Sequence, residues 1–432
     1  MKYDRIDSSL FVRNRKRFTS KMEGKSVAIF NSNDIFPVSA DSTMPFQQHR
    51  DIFHLSGVDQ EESILVLFPN CSNESHREIL FLRETNEHIA VWEGEKLTKE
   101  SAFEVSGIKT VYWINQFESI FKQLMVEADT MYLNTNEHLR ANTEVETRED
   151  RFIKKVKNSY PAHIIKKSAP IMHSIRSIKD KVEIELMQHA CNITEKGFRR
   201  LLSYTKPGVF EYELEAELIH EFIRNKSKGF AYTPIIASGK SACVLHYIEN
   251  NKECFSGDVI LLDVGAEYAN YSSDLTRCIP VNGRFTKRQS DVYNAVLSVK
   301  KSAEKLLVPG TYLSDYHKQV GELMESKLFD LKLLDKTDIK NQDPNWPAYK
   351  KYFMHGTSHY IGLDTHDVGP WNKPIEAGMV FTCEPGIYIP EENIGIRLED
   401  DLVVKESGKP FNLMSNIPIE VEEIEDLMNS GS

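Results

Sequence analysis

Four carboxylates set in the β-rich C-terminal half limit what this chain can fold into more than any other feature. The run Gly257-Asp258-Val259-Ile260-Leu261-Leu262-Asp263-Val264-Gly265 reads as a strand that carries Asp263 among apolar neighbours. Phe381-Thr382-Cys383-Glu384 and Gly395-Ile396-Arg397-Leu398-Glu399 each take a glutamate into the interior in the same way. A carboxylate in an apolar interior is costly unless it is paired or coordinated, so the fold has to bring a counter-charge to each. Asp274 follows Asp263 in Ser272-Ser273-Asp274-Leu275-Thr276-Arg277, and a turn at Ala269-Asn270 sets the two aspartates on neighbouring antiparallel strands. Two carboxylates held that close favour a cation between them.

The same region holds His355, His359 and His366 in one cluster, His355-Gly356-Thr357-Ser358-His359-Tyr360-Ile361-Gly362-Leu363-Asp364-Thr365-His366-Asp367. Taken singly, each acid has an ordinary explanation as a structural salt bridge, and a lone histidine as a ring satisfied by a backbone carbonyl. Together they form an oxygen-dominated donor set with one imidazole, which suits Mn2+ or a similar ion over the sulfur-rich sites of structural zinc.

A length of 432 residues exceeds what one hydrophobic core serves and predicts two domains. Short apolar runs alternate with polar helical stretches over residues 25–135, a mixed α/β pattern. The basic segment Arg148–Lys181, with Pro161 and Pro170, reads as the linker, and the domains are taken as 1–172 and 173–432. Beyond it, an amphipathic helix with Leu186, Ala190, Ile193, Gly197 and Leu201 stops at Lys206-Pro207-Gly208. A second helix carries Leu214, Leu218 and Phe222, and β-rich runs follow from Tyr232 to Val281. That order then recurs: Thr286 and Gln289 form a capping box, Val308-Pro309-Gly310 stops the helix, and a helix with Val320, Leu323 and Leu328 precedes a second β-rich stretch. Two similar halves with a site between them are the expectation.

Lys and Arg number 53 against 64 Asp and Glu, a net charge of −11, which argues against nucleic acid or an anionic membrane as the main partner. No apolar run reaches signal-peptide or membrane-spanning length, so a cytoplasmic protein is expected. The six scattered cysteines indicate neither a disulfide framework nor a thiolate zinc site, and buried reduced thiols are expected.

The strings LLDVGAEYANYSSDLTR, HGTSHYIGLDTHD, CEPGIYI and GIRLEDD resemble the signature of the pita-bread metallopeptidases, and among these aminopeptidase P. Ala40-Asp41-Ser42, Pro45-Phe46-Gln47-Gln48 and Phe53-His54-Leu55-Ser56-Gly57 are similar to the start of that family's creatinase-like N-terminal domain. The resemblance implies an α+β protein: a C-terminal pita-bread fold, two similar α/β halves around a dinuclear metal site, behind an N-terminal creatinase-like α/β domain. It implies two divalent ions, with Asp263 on one, His359 and Glu384 on the other, and Asp274 and Glu399 bridging. The implied reaction is hydrolysis of the N-terminal Xaa-Pro bond by a hydroxide shared between the ions. Glu384 would carry the proton to the leaving nitrogen, His366 would stabilise the carbonyl oxygen with His246 also reaching substrate, and His355 would flank the proline pocket.

Two residues stay open between roles. Arg397, on the strand face of Glu399, either orients a carboxylate or contacts peptide, or is a salt bridge to a neighbouring acid. Tyr388 either closes the pocket or packs. Peptides with proline second are the implied substrates, and a homodimer or homotetramer the implied assembly. Trp92 in Trp92-Glu93-Gly94 reads as an exposed interface aromatic or as core. Prolidase, an Xaa-Pro dipeptidase of the same fold, is the nearest alternative. Methionine aminopeptidase and a non-catalytic peptide-binding relative are more distant ones.

Overall fold

The computed structural model describes residues 3–430, which form two compact units, one spanning Arg5–Arg176 and the other Ser177 onwards together with Tyr3 and Asp4. The first is built on a six-stranded sheet in the order Thr110–Trp113, Glu78–Leu82, Ile64–Leu67, Ser26–Asn31, Thr130–Leu133, Ile164–Lys167. Ile64–Leu67 runs antiparallel to both of its neighbours, and the outer pairings are parallel. The four central strands are buried almost throughout because helices cover both faces, and side chains alternate between them. Val27, Ile29, Val66, Ile79 and Phe81 pack with Phe117, Phe121 and Phe152, whereas Ala28, Phe30, Leu65, Leu80 and Leu82 pack with Phe18, Ile52 and Leu55.

The segment expected as a linker is ordered. Arg148–Ser159 is a helix capped by Thr147 and Asp150, and Ile164–Lys167 is the last strand of the sheet. The boundary between the units, Arg176 to Ser177, lies within this segment, whose lysines and arginines cover the outer side of a helix with Phe152, Ile153 and Val156 entering the core.

In the second unit the helices Lys181–Tyr204 and Glu211–Arg224 precede the antiparallel strands Ile235–Ser238, Val259–Val264 and Leu275–Pro280. Helices Lys287–Ala303 and Leu313–Asp330 then precede Val380–Cys383, Asp400–Val403 and Phe411–Asn412, also antiparallel. The expected repetition of helix pair and sheet is therefore present. The first helix centres its stripe on Met187 rather than Leu186, and at Gly197 a Cβ would come within 2.8 Å of Phe222. A bridge between Thr276 and Glu399 ties a strand of the first half to the second. All six cysteines are unpaired and only Cys243 is partly exposed. No helix among the described residues is long and apolar enough to cross a membrane.

Candidate metal centre

The strand Val259–Val264 holds Asp263 opposite Thr276 of Leu275–Pro280. Between them the chain turns in a small hairpin, Glu267–Tyr268 against Tyr271–Ser272. Ala269 at φ 53° and Asn270 at φ 68° supply the left-handed pair that a tight turn with the strand's own twist requires. At Gly265 a Cβ would lie 1.8 Å from the Ser273 carbonyl oxygen, so only glycine allows the approach that brings Asp274 alongside Asp263. Opposite, the backbone of His359 pairs with Thr382, and Glu384 donates its N–H to Thr357 O at 2.8 Å. Glu399 donates its N–H to Thr276 O at 3.1 Å.

These elements bring the predicted ligands together. Donor atoms of Asp274, His359 and Glu399 all lie within 4.8 Å of one another. His359 Nε2 is 3.5 Å from Asp274 Oδ2 and 3.8 Å from Glu384 Oε1. Its other nitrogen, Nδ1, faces the Tyr360 carbonyl at 3.0 Å, and since a carbonyl only accepts, Nδ1 donates there while Nε2 faces the carboxylates. Asp263 and Asp274 share one hydroxyl, Tyr232 Oη, at 2.7 and 2.6 Å.

One hydroxyl has one proton, so at any instant Tyr232 satisfies one of the two aspartates. Burial holds the Asp274 carboxyl well above the usual range, with repulsion from Asp263 adding to it, and burial together with Asp274, Glu384 and Asp263 does the same to Glu399. Burial also pushes Glu384 up to about 7, against the attraction of His359 and Arg397. Four carboxylates therefore crowd into one pocket with Arg397 as their neighbouring guanidinium. The charge shortfall, with the His359 ring nitrogen Nε2 turned toward the same carboxylates, fits divalent cations as the missing partners.

Arg397 ion-pairs with Asp263 through Nη2, donates from Nη1 to Tyr388 Oη at 2.8 Å and from Nε to Thr276 Oγ1 at 3.2 Å. It thus makes the salt bridge to a neighbouring acid that was one of its open readings. The strand Val380–Cys383 ends just before Glu384, and the next, Gly386–Ile389, begins after Pro385; on it Tyr388 is fully buried. Tyr388 Oη reaches His355 Nε2 at 2.8 Å, and His355 Nδ1 faces the Gly356 carbonyl at 2.7 Å. Burial drops the His355 pKa to about 3, with Arg397 contributing, so its ring is neutral. The same nitrogen Nδ1 lies 3.7 Å from Glu384 Oε2. His366 is exposed and sets its ring edge-on to His359, 4.4 Å between centroids. His246 is exposed in the loop after Gly239–Cys243 and close enough to His355 for its charge to lower the His355 pKa.

Sequence reasoning did not single out Tyr232 or Thr276. Thr276, whose Oγ1 donates to Glu399 Oε2 at 2.6 Å, lies two positions after Asp274, a spacing that could have suggested a shared strand face. Tyr232 lies far upstream, and long-range pairing of its flanks, Phe230 with Ala266 and Ile235 with Asp263, carries it in.

A family model described as metallopeptidase family M24 matches residues 185–406, and one for the aminopeptidase P N-terminal domain matches residues 11–132. The Xaa-Pro aminopeptidase of Escherichia coli is 34% identical over 98% of this chain and 98% of its own length. Human Xaa-Pro aminopeptidase 3 is 31% identical over 93% of this chain and 80% of its own. Among solved structures, E. coli aminopeptidase P with the inhibitor Pro-Leu superposes at a TM-score of 0.88, with 33% identity and 99% of each chain covered. A variant of the same enzyme in complex with substrate gives the same TM-score at 32% identity, again covering 99% of each chain. The pita-bread catalytic fold and the creatinase-like N-terminal domain expected from the signature strings are thus the observed ones. The chain belongs to metallopeptidase family M24, with an N-terminal domain of the aminopeptidase P type.

Proposed function

We propose that this protein is an Xaa-Pro aminopeptidase, which removes the first residue from peptides with proline second. The observation that carries the reading is the convergence of Asp274, His359 and Glu399, with Asp263 and Glu384 beside them, in one buried pocket. In this reading Asp263, Asp274, His359, Glu384 and Glu399 would together hold two divalent ions, Mn2+ by the chemistry of this donor set. Bound there, the ions supply a water of lowered pKa and an electrophile for the scissile carbonyl.

The chain's own groups do the rest. Glu384 takes the proton from the attacking water and delivers it to the proline nitrogen. His366 donates to the carbonyl oxygen as charge grows there, and His246 reaches the substrate from its exposed loop. His355 flanks the proline ring, held neutral and oriented through Tyr388 by Arg397. A bond to proline lacks an N–H and is restrained about φ, which is why such a pocket has to be dedicated.

The domain assignment, creatinase-like residues 1–172 ahead of a catalytic 173–432, belongs to the same reading. So does a cytoplasmic homodimer or homotetramer, supported by Val91 and Trp92, which stand about 80% and 78% exposed on the helix Glu87–Glu93. A panel of peptides with constant first residue, varied second residue and varied length tests the function by kcat/KM. Proline second with tripeptides and longer chains preferred is the expected result. A clear preference for the Xaa-Pro dipeptide favours prolidase, a requirement for Met without proline favours methionine aminopeptidase, and no turnover favours a binding protein.

A further inference from the structure

Glu399, Asp400 and Asp401 are three consecutive buried acids with three different surroundings. Glu399 faces the metal pocket. Asp400 is neutralised from both sides: Arg277 Nη2 donates to its Oδ1 at 2.6 Å, while Lys300 Nζ and Asn412 Nδ2 donate to Oδ2. Asp401 has no such cation. Its Oδ2 accepts the backbone N–H of Asp274 at 3.1 Å and the Cys191 thiol at 3.5 Å, and its Oδ1 is buried without a hydrogen-bond partner. A fully buried carboxyl with so little compensation is expensive to keep, and an apolar residue would satisfy the core better.

The recipient explains the arrangement. Asp274 lies between the strands Tyr271–Ser272 and Leu275–Pro280, outside both ladders, so its N–H has no strand acceptor. The Ser273 N–H and hydroxyl both turn instead to Ala266 O. The segment that presents the Asp274 carboxylate is therefore an irregular step whose free donor is closed by a side chain from the other half of the unit. Asp401 shares its strand face with Glu399, two positions earlier, so one short stretch faces Asp274 from both its side chain and its backbone.

We propose that Asp401 is a positioning residue for the metal pocket, setting Asp274 through its backbone N–H so that the Asp274 carboxylate faces Glu399 and His359. The proposal rests on Asp274 being a metal ligand. Outer groups that orient ligands change metal affinity without touching the ion.

The test is Mn2+ affinity by calorimetry on the full chain, with Co2+ absorption reporting ligand geometry and circular dichroism reporting folding. Asp401→Leu and Asp401→Ala should bind Mn2+ about 10–100-fold more weakly, whereas Asp401→Asn, which keeps a carbonyl acceptor for the Asp274 N–H, should stay within about threefold of the parent. Metal-free Asp401→Leu should melt no lower than the parent, because an uncompensated buried acid has gone. Parent-like affinity in the folded Leu or Ala variant overturns the proposal, as does a tenfold loss in Asp401→Asn. If neither apolar variant folds while Asp401→Asn does, the role is structural and the proposal fails. Asp274→Ala is the control: should it keep its full metal content, the metal-site reading itself falls, independently of Asp401.

Discussion

At the scale of single residues, His366 and Glu149 have consequences that can be measured. His366 stands edge-on to His359 in an exposed position, and its proposed role is to stabilise charge that develops on the carbonyl oxygen during reaction. Removing an interaction made only in the transition state lowers kcat and kcat/KM together. His366→Ala should therefore lose on the order of a hundredfold in both, and a raised KM with unchanged kcat would make it a binding residue instead.

Glu149, in the N-terminal unit, is buried, with its two oxygens accepting from the Asn31 N–H at 2.8 Å and the Asn31 side-chain amide at 2.9 Å. Burial raises its pKa from 4.5 to about 8 despite those bonds. The folded unit then keeps a proton that the unfolded chain has released, so stability is fully present below about 4.5 and falls as pH rises toward about 8. One pKa unit is about 1.4 kcal/mol, so the loss across the window is on the order of a few kcal/mol. Glu149→Gln should flatten that slope in denaturant unfolding from pH 5 to 8.5, since the Asn31 amide can turn over to accept from the new NH2. An unchanged slope would mean that Glu149 ionises freely in the folded state.

At the scale of elements, the hairpin between Asp263 and Asp274 does the most to build the site. Its turn was legible at Ala269-Asn270, yet nothing local to Gly265 shows that a Cβ there would fall 1.8 Å from the Ser273 carbonyl, since that is a contact across the hairpin. Gly265→Ala must push the Ser273–Asp274 step away. Overpacking of this kind costs roughly 1–3 kcal/mol or more, and the step it displaces carries a proposed ligand. The variant should melt lower and bind Mn2+ more weakly, and parent-like metal content would show that the step tolerates the shift. The helix Arg148–Ser159 teaches the opposite lesson. Its capping box and its Phe152, Ile153 and Val156 stripe were in the sequence, but the surrounding lysines and arginines made it look like a linker.

At the scale of the whole molecule, four carboxylates packed into one buried pocket oppose folding until cations arrive. A ligand that binds only the folded state stabilises it by mass action, by about 2.7 kcal/mol when it stands at 100 times its Kd. Chelation should thus abolish turnover and lower the Tm together, and Mn2+ should restore both. Full turnover by demonstrably metal-free protein would remove the dinuclear mechanism.

Carboxylates inside apolar strands are costly wherever they occur, so the identity of Asp263, Asp274, Glu384 and Glu399 as a group needing a counter-charge could be read from local pattern alone. The helix pairs, their caps and the repeated order were legible for the same reason: hydrophobic period and capping chemistry are properties of neighbouring residues. Tertiary structure decided what depends on residues far apart in the chain. The Tyr232 hydroxyl shared by two aspartates, the Tyr388 hydroxyl on His355, and the Asp401 carboxyl closing the Asp274 N–H join positions 31 to 127 residues apart, and Arg397 reaches Tyr388 across the hairpin formed by Gly386–Ile389 and Ile394–Arg397. Such contacts are set by how strands from the two halves meet, and a one-dimensional pattern carries no term for that meeting.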